Sequence, residues 1–432
     1  MTDARRLLPE DFALRVRSEL AKGGCAELES GAEKQGQSGG AARRHVFIVG
    51  SKGIPARYGG FETFVENLTR HGGEAIQYHV ACIGGGAGEF SHNGARCHRF
   101  RAPDIGAAKA IFYDAAALSF FIGYCEKNEI SSPVFYILAC RIGIFIARFR
   151  AGIKRIGGVI LVNPDGHEWK RAKWPKPVRA YWKYSERKMV ECADLVVCDS
   201  VEIEKYIKSE YAGCKPRTAY IAYGADVGRS RLADGDAKFA RWLEANAVEA
   251  GGYYLAVGRL VPENNFEAMI RGFMASKTKR SFVLVTESRG RYLDRLDRRL
   301  RFRGDGRVKF AGPEYDAELL KKIRENAFAY IHGHEVGGTN PSLLEAMAST
   351  GLNLLLDVPF NREVAMDSAL YWDKADGSLP ELIDAAELLG GDAAAELGCK
   401  SKLRISSYYS WNSISLKYIS LFSEIHSPEV KA

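Results

Sequence analysis

Short runs of β-branched and other apolar residues, each ending at a glycine or a polar residue, punctuate this chain. HVFIVG (His45 to Gly50), YHVACIG, VFYILAC, GVILVN and DLVVCD follow one another in order. They lack the alternation of a half-exposed strand and read as strands buried on both faces of a parallel sheet. Between several of them the period changes to that of a helix. FETFVENLTRH places Phe61, Phe64, Val65 and Leu68 on one face. This alternation predicts a doubly wound α/β domain over residues 45–227. After AYIAYGADVG the pattern starts again with YYLAVGRL, SFVLVTES, VKFAGP, FAYIHGH and NLLLDV, predicting a second α/β domain over residues 228–409. The tail spaces Trp411, Ile414, Leu416, Ile419 and Phe422 for a helix over about 410–428, expected to pack back on the first domain. Residues 1–44 contain a Gly/Ser/Gln-rich stretch without periodicity and are expected to be a flexible leader.

A length of 432 residues accommodates two such domains, each with its own core. With 46% hydrophobic and 26% charged residues the composition is that of a globular protein, which excludes a mainly disordered or collagenous chain. The nine cysteines form no CxxC pair and no zinc-ligand cluster. Most lie in apolar runs, as expected of reduced thiols in the cytoplasm. The most apolar stretch, Pro133 to Phe149, is interrupted by Arg141 and Arg148 and is too short to span a bilayer. The net charge of +8 suits an anionic substrate or an anionic surface.

Four motifs carry candidate chemistry. GSKGIPARYGGFET leaves the first strand and enters a helix, a geometry that cradles anions on backbone N–H groups, with Gly59 and Gly60 permitting close approach. It is neither a Walker A loop nor GxGxxG. NPDGHEWKRAKW follows the strand GVILV, so Asp165, His167 and Glu168 stand where open α/β sheets bind ligands. From His167 to Lys188 there are eight Lys/Arg, two Glu and several Trp and Tyr. Trp169, Lys170, Arg171, Lys173 and Trp174 open this run. Its mixture suits an anionic membrane interface, a phosphorylated headgroup or single-stranded nucleic acid. In AVGRLVPENN, Arg259 projects from a strand end, where a guanidinium can grip a diphosphate. In HEVGGTNPSLLEAMA, a Gly-Gly-Thr-Asn turn (Gly338, Thr339, Asn340) enters a helix at Pro341, whose first turn holds Ser342 and Leu343. Glu345 follows one turn in. The triplet Asp234-Gly-Asp236 lies in a polar turn with no strand before it and is not expected to bind metal.

These four segments in this order resemble the GT4 family of retaining GT-B glycosyltransferases. In detail they look like the bacterial beta-1,4-rhamnosyltransferases of capsule and cell-wall polysaccharide synthesis. The resemblance runs from about His45 to the C-terminus. It implies two Rossmann-like domains facing a central cleft, with dTDP-L-rhamnose as donor. The acceptor it implies is a polyprenyl-diphosphate-linked sugar, glucose or N-acetylglucosamine. It further implies no metal cofactor, no nucleic-acid partner, and a cytoplasmic enzyme peripheral to the inner face of the cell membrane. Carried over by position, Arg259 would hold the donor diphosphate, Glu345 the ribose, and Glu335 would face the donor sugar. Asp165 would lie near the anomeric centre. The remaining donor contacts would come from Gly59, Gly60, Asn264 and the turn Gly338 to Leu343. The acceptor and the membrane would meet His167 to Trp174.

Two departures separate the chain from the broad family. Asn264 stands where a Lys usually follows the Arg by five positions, and Gly337 stands where the first of two spaced Glu is expected, with Glu335 two residues earlier. The rhamnosyl subgroup shares both, so they weigh against a generic UDP- or GDP-sugar enzyme. The alternatives are a transferase using another nucleotide sugar and a basic nucleic-acid-binding protein without an accompanying RNP or KH motif. A nicotinamide-dependent oxidoreductase is disfavoured because neither domain opens with GxGxxG.

Overall fold

The structure is a computed structural model and describes residues 43–56, 59–84, 88–102, 108–171 and 174–426. The predicted leader lies outside the described residues except for Arg43 and Arg44.

Two sheets form the two halves. The first contains β1 (Arg44–Val49), β2 (Ile76–Ile83), β3 (Gly88–His92), β4 (Ala95–Phe100), β5 (Val134–Leu138), β6 (Val159–Asn163), β7 (Leu195–Cys198) and β8 (Thr218–Tyr220). Its order is β3-β4-β2-β1-β5-β6-β7-β8, and only β3 runs antiparallel to its neighbour. The second contains β9 (Tyr253–Val257), β10 (Ser281–Val285), β11 (Val308–Phe310), β12 (Ala329–His332), β13 (Asn353–Leu356) and β14 (Leu370–Trp372), ordered β11-β10-β9-β12-β13-β14. That is the doubly wound order, 3-2-1-4-5-6. In both halves the order reverses between two central strands, β1 and β5 in one and β9 and β12 in the other. A crevice opens at the carboxyl ends of strands at such a reversal.

The long apolar runs are buried as the pattern predicts: β5, β6 and β7 are buried at every position. β3 and β4 escaped the pattern because β3 is the sheet edge and β4, next to it, mixes exposed with buried positions. The C-terminal helix Trp411–Glu424 packs on β1, β2 and the helix Gly60–Arg70. Trp411, Ile414, Tyr418 and Phe422 form its buried stripe, and Tyr418 Oη meets Tyr136 Oη at 3.0 Å. Leu416 is 49% exposed, contrary to its expected place on that face. At 100° per residue it stands about 200° from Ile414, on the opposite side of the helix.

The halves are joined twice. Ala225 N–H donates to the Tyr409 carbonyl (2.8 Å), and Asp226 Oδ1 accepts from Trp411 N–H (3.1 Å). Around these crossings one apolar cluster runs from the first sheet through Tyr223, Tyr409 and Trp411 to Leu343 and Met347 of the second half. Glu363 of the second half accepts from Val201 N–H of the first through both carboxylate oxygens, at 3.0 and 3.1 Å.

Three histidines cross the first sheet in a buried row. His45 Nδ1 and His79 Nε2 are 3.0 Å apart, and His79 Nδ1 and His98 Nε2 are 3.5 Å apart. Burial, then the charges of His45, His98 and Arg96, push His79 down to about 3. The folded state thus holds His79 neutral, while the unfolded chain binds a proton near the ordinary value of about 6.5. Stability is therefore complete above pH ~6.5 and declines by up to about 1.4 kcal/mol per pH unit as pH falls toward 3. Thermal melting between pH 7 and 4 should show this decline, and His79→Gln should make it shallower by that amount. An unchanged slope in the variant would remove His79 as its source.

Candidate active site

The two reversal points face one cleft of about 1230 Å³. Single small-molecule sites span roughly 300–1,000 Å³. The cleft therefore has room for two ligands meeting across it.

On the first half, the loop after β1 turns through Gly50 and Gly53, both at positive φ (104° and 103°). A side chain at Gly50 would strike the Leu138 carbonyl, because the chain after β1 still lies close against the end of β5. Gly59 precedes the helix Gly60–Arg70, and both glycines line the cleft. The helix start is not empty, however. Glu62 folds back so that its Oε1 accepts from Lys52 N–H at 2.7 Å. A carboxylate thus already occupies part of the position expected to cradle an anion.

Arg141, which interrupts the apolar run after β5, is the charged floor of this wall. Its Nη1 donates to the Gly50 carbonyl (2.7 Å) and reaches Asp114 Oδ2 (3.3 Å). Burial pushes Asp114 up to about 6 against the pull of Arg141.

The loop after β6 reaches furthest across. Asp165 and His167 both adopt left-handed backbone (φ 57° and 46°). Such strain in non-glycine residues persists only where the surroundings impose it. Asn163 Oδ1 accepts from Asp165 N–H at 2.9 Å. Arg171 holds the loop from below, its Nε 2.8 Å from Glu168 Oε2 and its Nη2 3.6 Å from Asp165 Oδ1. Burial opposes the charge of Arg171, but Asp165 and Glu168 outweigh it and raise its pKa. At the tip, a Cβ on Gly166 would lie 2.1 Å from Gly337 Cα. The two halves touch here, backbone against backbone.

The basic and aromatic run is mostly the wall of the cleft. Glu168, Trp169, Arg171, Trp174 and the buried Trp182 line it. Trp174 Nε1 donates to Glu168 Oε1 (2.7 Å) and Trp169 Nε1 to Tyr206 Oη (3.1 Å). His167 departs from its expected role at the acceptor. It is buried under the loop with its ring 4.2 Å from that of Tyr206, outside the cleft lining. Burial, then Lys170 and Lys183, push it down to about 4. Besides Arg171, three cations of the run are matched. Lys183 pairs with Glu210 (2.8 Å), and Arg187 and Lys188 both pair with Glu191 (2.9 and 2.8 Å). Lys170 is exposed, its Nζ 5.3 Å from the Trp169 ring. Lys173 lies outside the described residues.

On the second half, Arg259 leaves the end of β9 into the cleft, exposed and with no carboxylate at ion-pair distance among the described residues. Asn264 fixes its backbone: Nδ2 donates to the Arg259 carbonyl (2.7 Å), and Oδ1 meets His334 Nδ1 (2.7 Å). With the amide nitrogen committed to a carbonyl, His334 Nδ1 carries the proton in this pair. Burial, then Arg171 of one half and Arg259 of the other, push His334 down to about 4. The departure at Asn264 therefore builds a positioning contact, which a Lys there could not make. His334 was quoted in its motif but given no role; the unusual Asn264 was the available signal.

The turn Gly338-Thr339-Asn340 enters the helix Pro341–Ser349. Asn340 Oδ1 accepts from Ser342 N–H (2.9 Å) and Leu343 N–H (3.3 Å), so these first-turn donors are capped rather than free, contrary to expectation. Leu343 itself is a core residue. Ser342 Oγ lies 3.0 Å from Tyr330 Oη. Glu345 lines the cleft and pairs with the buried Arg324 at 2.7 Å. Glu335 is not where the resemblance placed it. Its carboxylate pairs with Lys374 and it does not line the cleft.

Asp199, at the end of β7, was not singled out in the sequence. It is 3% exposed, lies beside Gly338, and its Oδ1 has no hydrogen-bond partner among the described residues. Its carbonyl accepts from Thr339 Oγ1. Burial, then Asp165 and Glu363, push it well up. Asp234 and Asp236 lie elsewhere: the first pairs with Lys322 (2.6 Å), and the second caps the helix Ala237–Asn246.

Residues 43–226 match a family described as a domain of unknown function, DUF1972. No curated protein matches the sequence. Among solved structures, the chain is similar to sucrose-phosphate synthase from Thermosynechococcus elongatus, with 18% identity and a TM-score of 0.71 over 88% of this chain and 99% of that one. A glycosyltransferase from Rickettsia africae is 13% identical, with a TM-score of 0.68 over 89% and 99%. HepE from Anabaena, solved in complex with UDP, is 13% identical, with a TM-score of 0.62 over 88% and 100%. Both sheets and the cleft between them are thus shared over the full length of these structures, and the chain has the two-domain, Rossmann-like GT-B fold.

Proposed function

We propose that the protein is a retaining GT4-type glycosyltransferase. It transfers L-rhamnose from dTDP-L-rhamnose to a polyprenyl-diphosphate-linked glucose or N-acetylglucosamine, at the inner face of the cell membrane. Its product serves capsule or cell-wall polysaccharide synthesis. One observation carries the reading: Arg259, a guanidinium with no carboxylate at ion-pair distance among the described residues, stands at the reversal point of the second sheet and shares the cleft with the Asp165 loop of the first. UDP ligands in the HepE and E. coli trehalose-6-phosphate structures lend support to a nucleotide-sugar donor.

In this reading the donor lies on the second half. Arg259 grips the diphosphate, held in place by Asn264 and His334, and Glu345 receives ribose hydroxyls. As the bond from the anomeric carbon to the phosphate oxygen breaks, negative charge grows on the diphosphate, and Arg259 stabilises it. The acceptor hydroxyl attacks from the same face and gives its proton to the departing phosphate oxygen. No strong protein base is required. Asp165, fixed by Arg171 and Asn163, stands near the anomeric centre. Trp169 and Trp174 offer ring faces to the acceptor sugar, and Glu168 accepts its hydroxyls.

The test is a matrix of nucleotide sugars against lipid-diphosphate-linked glucose and N-acetylglucosamine, with products identified by mass. Rhamnosyl transfer with retained configuration is expected, and a different preferred sugar would overturn the donor assignment. Transfer should also persist in EDTA, because a cation already stands where a metal would neutralise the leaving group. Loss on chelation, restored by Mn²⁺, would overturn that step.

A further inference from the structure

One short segment of the second half carries a strong excess of positive charge. Between Arg289 and Arg307 stand eight Arg and three Asp, a net +5 of the +8 carried by the whole sequence. Most of this segment is the helix Arg291–Leu300, which buries Leu293 and Leu296 in the second core and turns its other face outward. Three of the eight are matched: Arg299 pairs with Glu267 (2.9 Å), Arg303 with Asp297 (3.2 Å) and Arg307 with Asp305 (2.7 Å). The other five, Arg289, Arg291, Arg295, Arg298 and Arg301, are exposed, with no carboxylate at ion-pair distance among the described residues.

These five are not scattered. Arg291, Arg295 and Arg298 occupy i, i+4 and i+7 of the helix, one stripe about 10 Å long. Arg289 stands just before this helix and Arg301 just after it. Local stability does not favour such a stripe. Like charges at i, i+4 repel, and an Arg in the first turn meets the positive end of the helix dipole. Arg301 takes the left-handed conformation (φ 54°) that helix ends usually give to glycine. The two electrostatic penalties are relieved by an anionic surface laid along the helix.

We propose that this arginine stripe docks the protein on a bilayer of acidic phospholipid. The choice of a bilayer over another polyanion rests on the lipid-linked acceptor proposed above, and on two features of the surface. No exposed aromatic side chain stands among the five Arg to stack a nucleic-acid base, since Phe302 is buried and Tyr292 half-buried. In the run His167 to Lys188, the other basic segment, Arg171, Lys183, Arg187 and Lys188 are each held in an ion pair. Docking thus falls to the second half, away from the cleft wall that the run builds.

The experiment is sedimentation of the full chain with vesicles of phosphatidylcholine, with and without phosphatidylglycerol. Binding is expected only to the acidic vesicles, and raising salt should release it within the short screening range of such contacts. Replacing Arg291, Arg295 and Arg298 together by Gln should lower the partition coefficient about a hundredfold, at roughly fivefold per charge. The same variant should bind dTDP as the parent does. Lys170→Gln with Lys188→Gln should leave vesicle binding unchanged. Wild-type vesicle binding by the triple variant would overturn the proposal. So would tighter, stripe-dependent binding to duplex or single-stranded DNA at the same salt. Vesicle sedimentation does not depend on sugar transfer, so failure of the rhamnosyl assignment and failure of the docking surface give different results.

Discussion

Arg259→Ala is expected to lower sugar transfer by a few hundredfold or more while the protein melts as before. The two halves of that expectation have separate causes. The guanidinium is exposed and no carboxylate pairs with it among the described residues, so its removal takes no contact from the fold. In the cleft, the same group meets charge that develops only as the donor bond breaks. Loss of one such contact typically costs about 3–4 kcal/mol of barrier. Arg259→Lys should be nearly as poor, because an ammonium cannot reproduce the planar fork that grips two phosphate oxygens. Glu345→Ala should also abolish most transfer, and there a lowered melting temperature is expected as well, since Arg324 is 4% exposed and would lose its partner. Turnover close to the parent in Arg259→Ala would remove this residue from the site.

Gly166→Ala and Gly338→Ala are each expected to cut transfer by tenfold to a hundredfold without unfolding either half. A methyl group on Gly166 would lie 2.1 Å from Gly337 Cα, and one on Gly338 would lie 1.8 Å from Asp199 Oδ1. The first contact is with backbone and the second with a carboxylate that is itself buried, so neither yields as a flexible surface side chain can. The halves must therefore separate by a fraction of the methyl diameter, at a cost typical of overpacking, about 1–3 kcal/mol. Donor groups sit on one side of this contact and Asp165 on the other, so any separation moves the reacting atoms apart. Steady-state rates, with small-angle scattering to detect the looser closure, would test this. Unimpaired transfer in both variants would show that the two turns need not meet for the reaction.

The strands and the division into two halves were legible because a strand buried on both faces must be apolar along its whole length, as VFYIL and VILVN are. The edge strand Gly88–His92 and its neighbour Ala95–Phe100 were not, since several of their positions face solvent and their residues carry no such signature. Strand ends were equally legible as places for chemistry, and Asp165 and Arg259 do line one cleft. Charged side chains were less readable. Arg141 reads as an interruption of an apolar run and proves to be the floor of the site. Glu335 reads as facing the donor and is taken by Lys374, 39 residues away in sequence. Asn340 reads as part of an open anion cradle and caps the donors itself.

The difference lies in the range of the forces involved. Burial of a strand or of a helix face depends on neighbours a few residues away, so the order of residues suffices to specify it. Whether a charge is free depends on which opposite charge the fold brings within about 4 Å, and that partner can come from anywhere in the chain. The run from His167 to Lys188 and the segment from Arg289 to Arg307 look alike as strings of basic residues. Only folding brings Glu210 to Lys183 in the first and leaves five arginines of the second facing water.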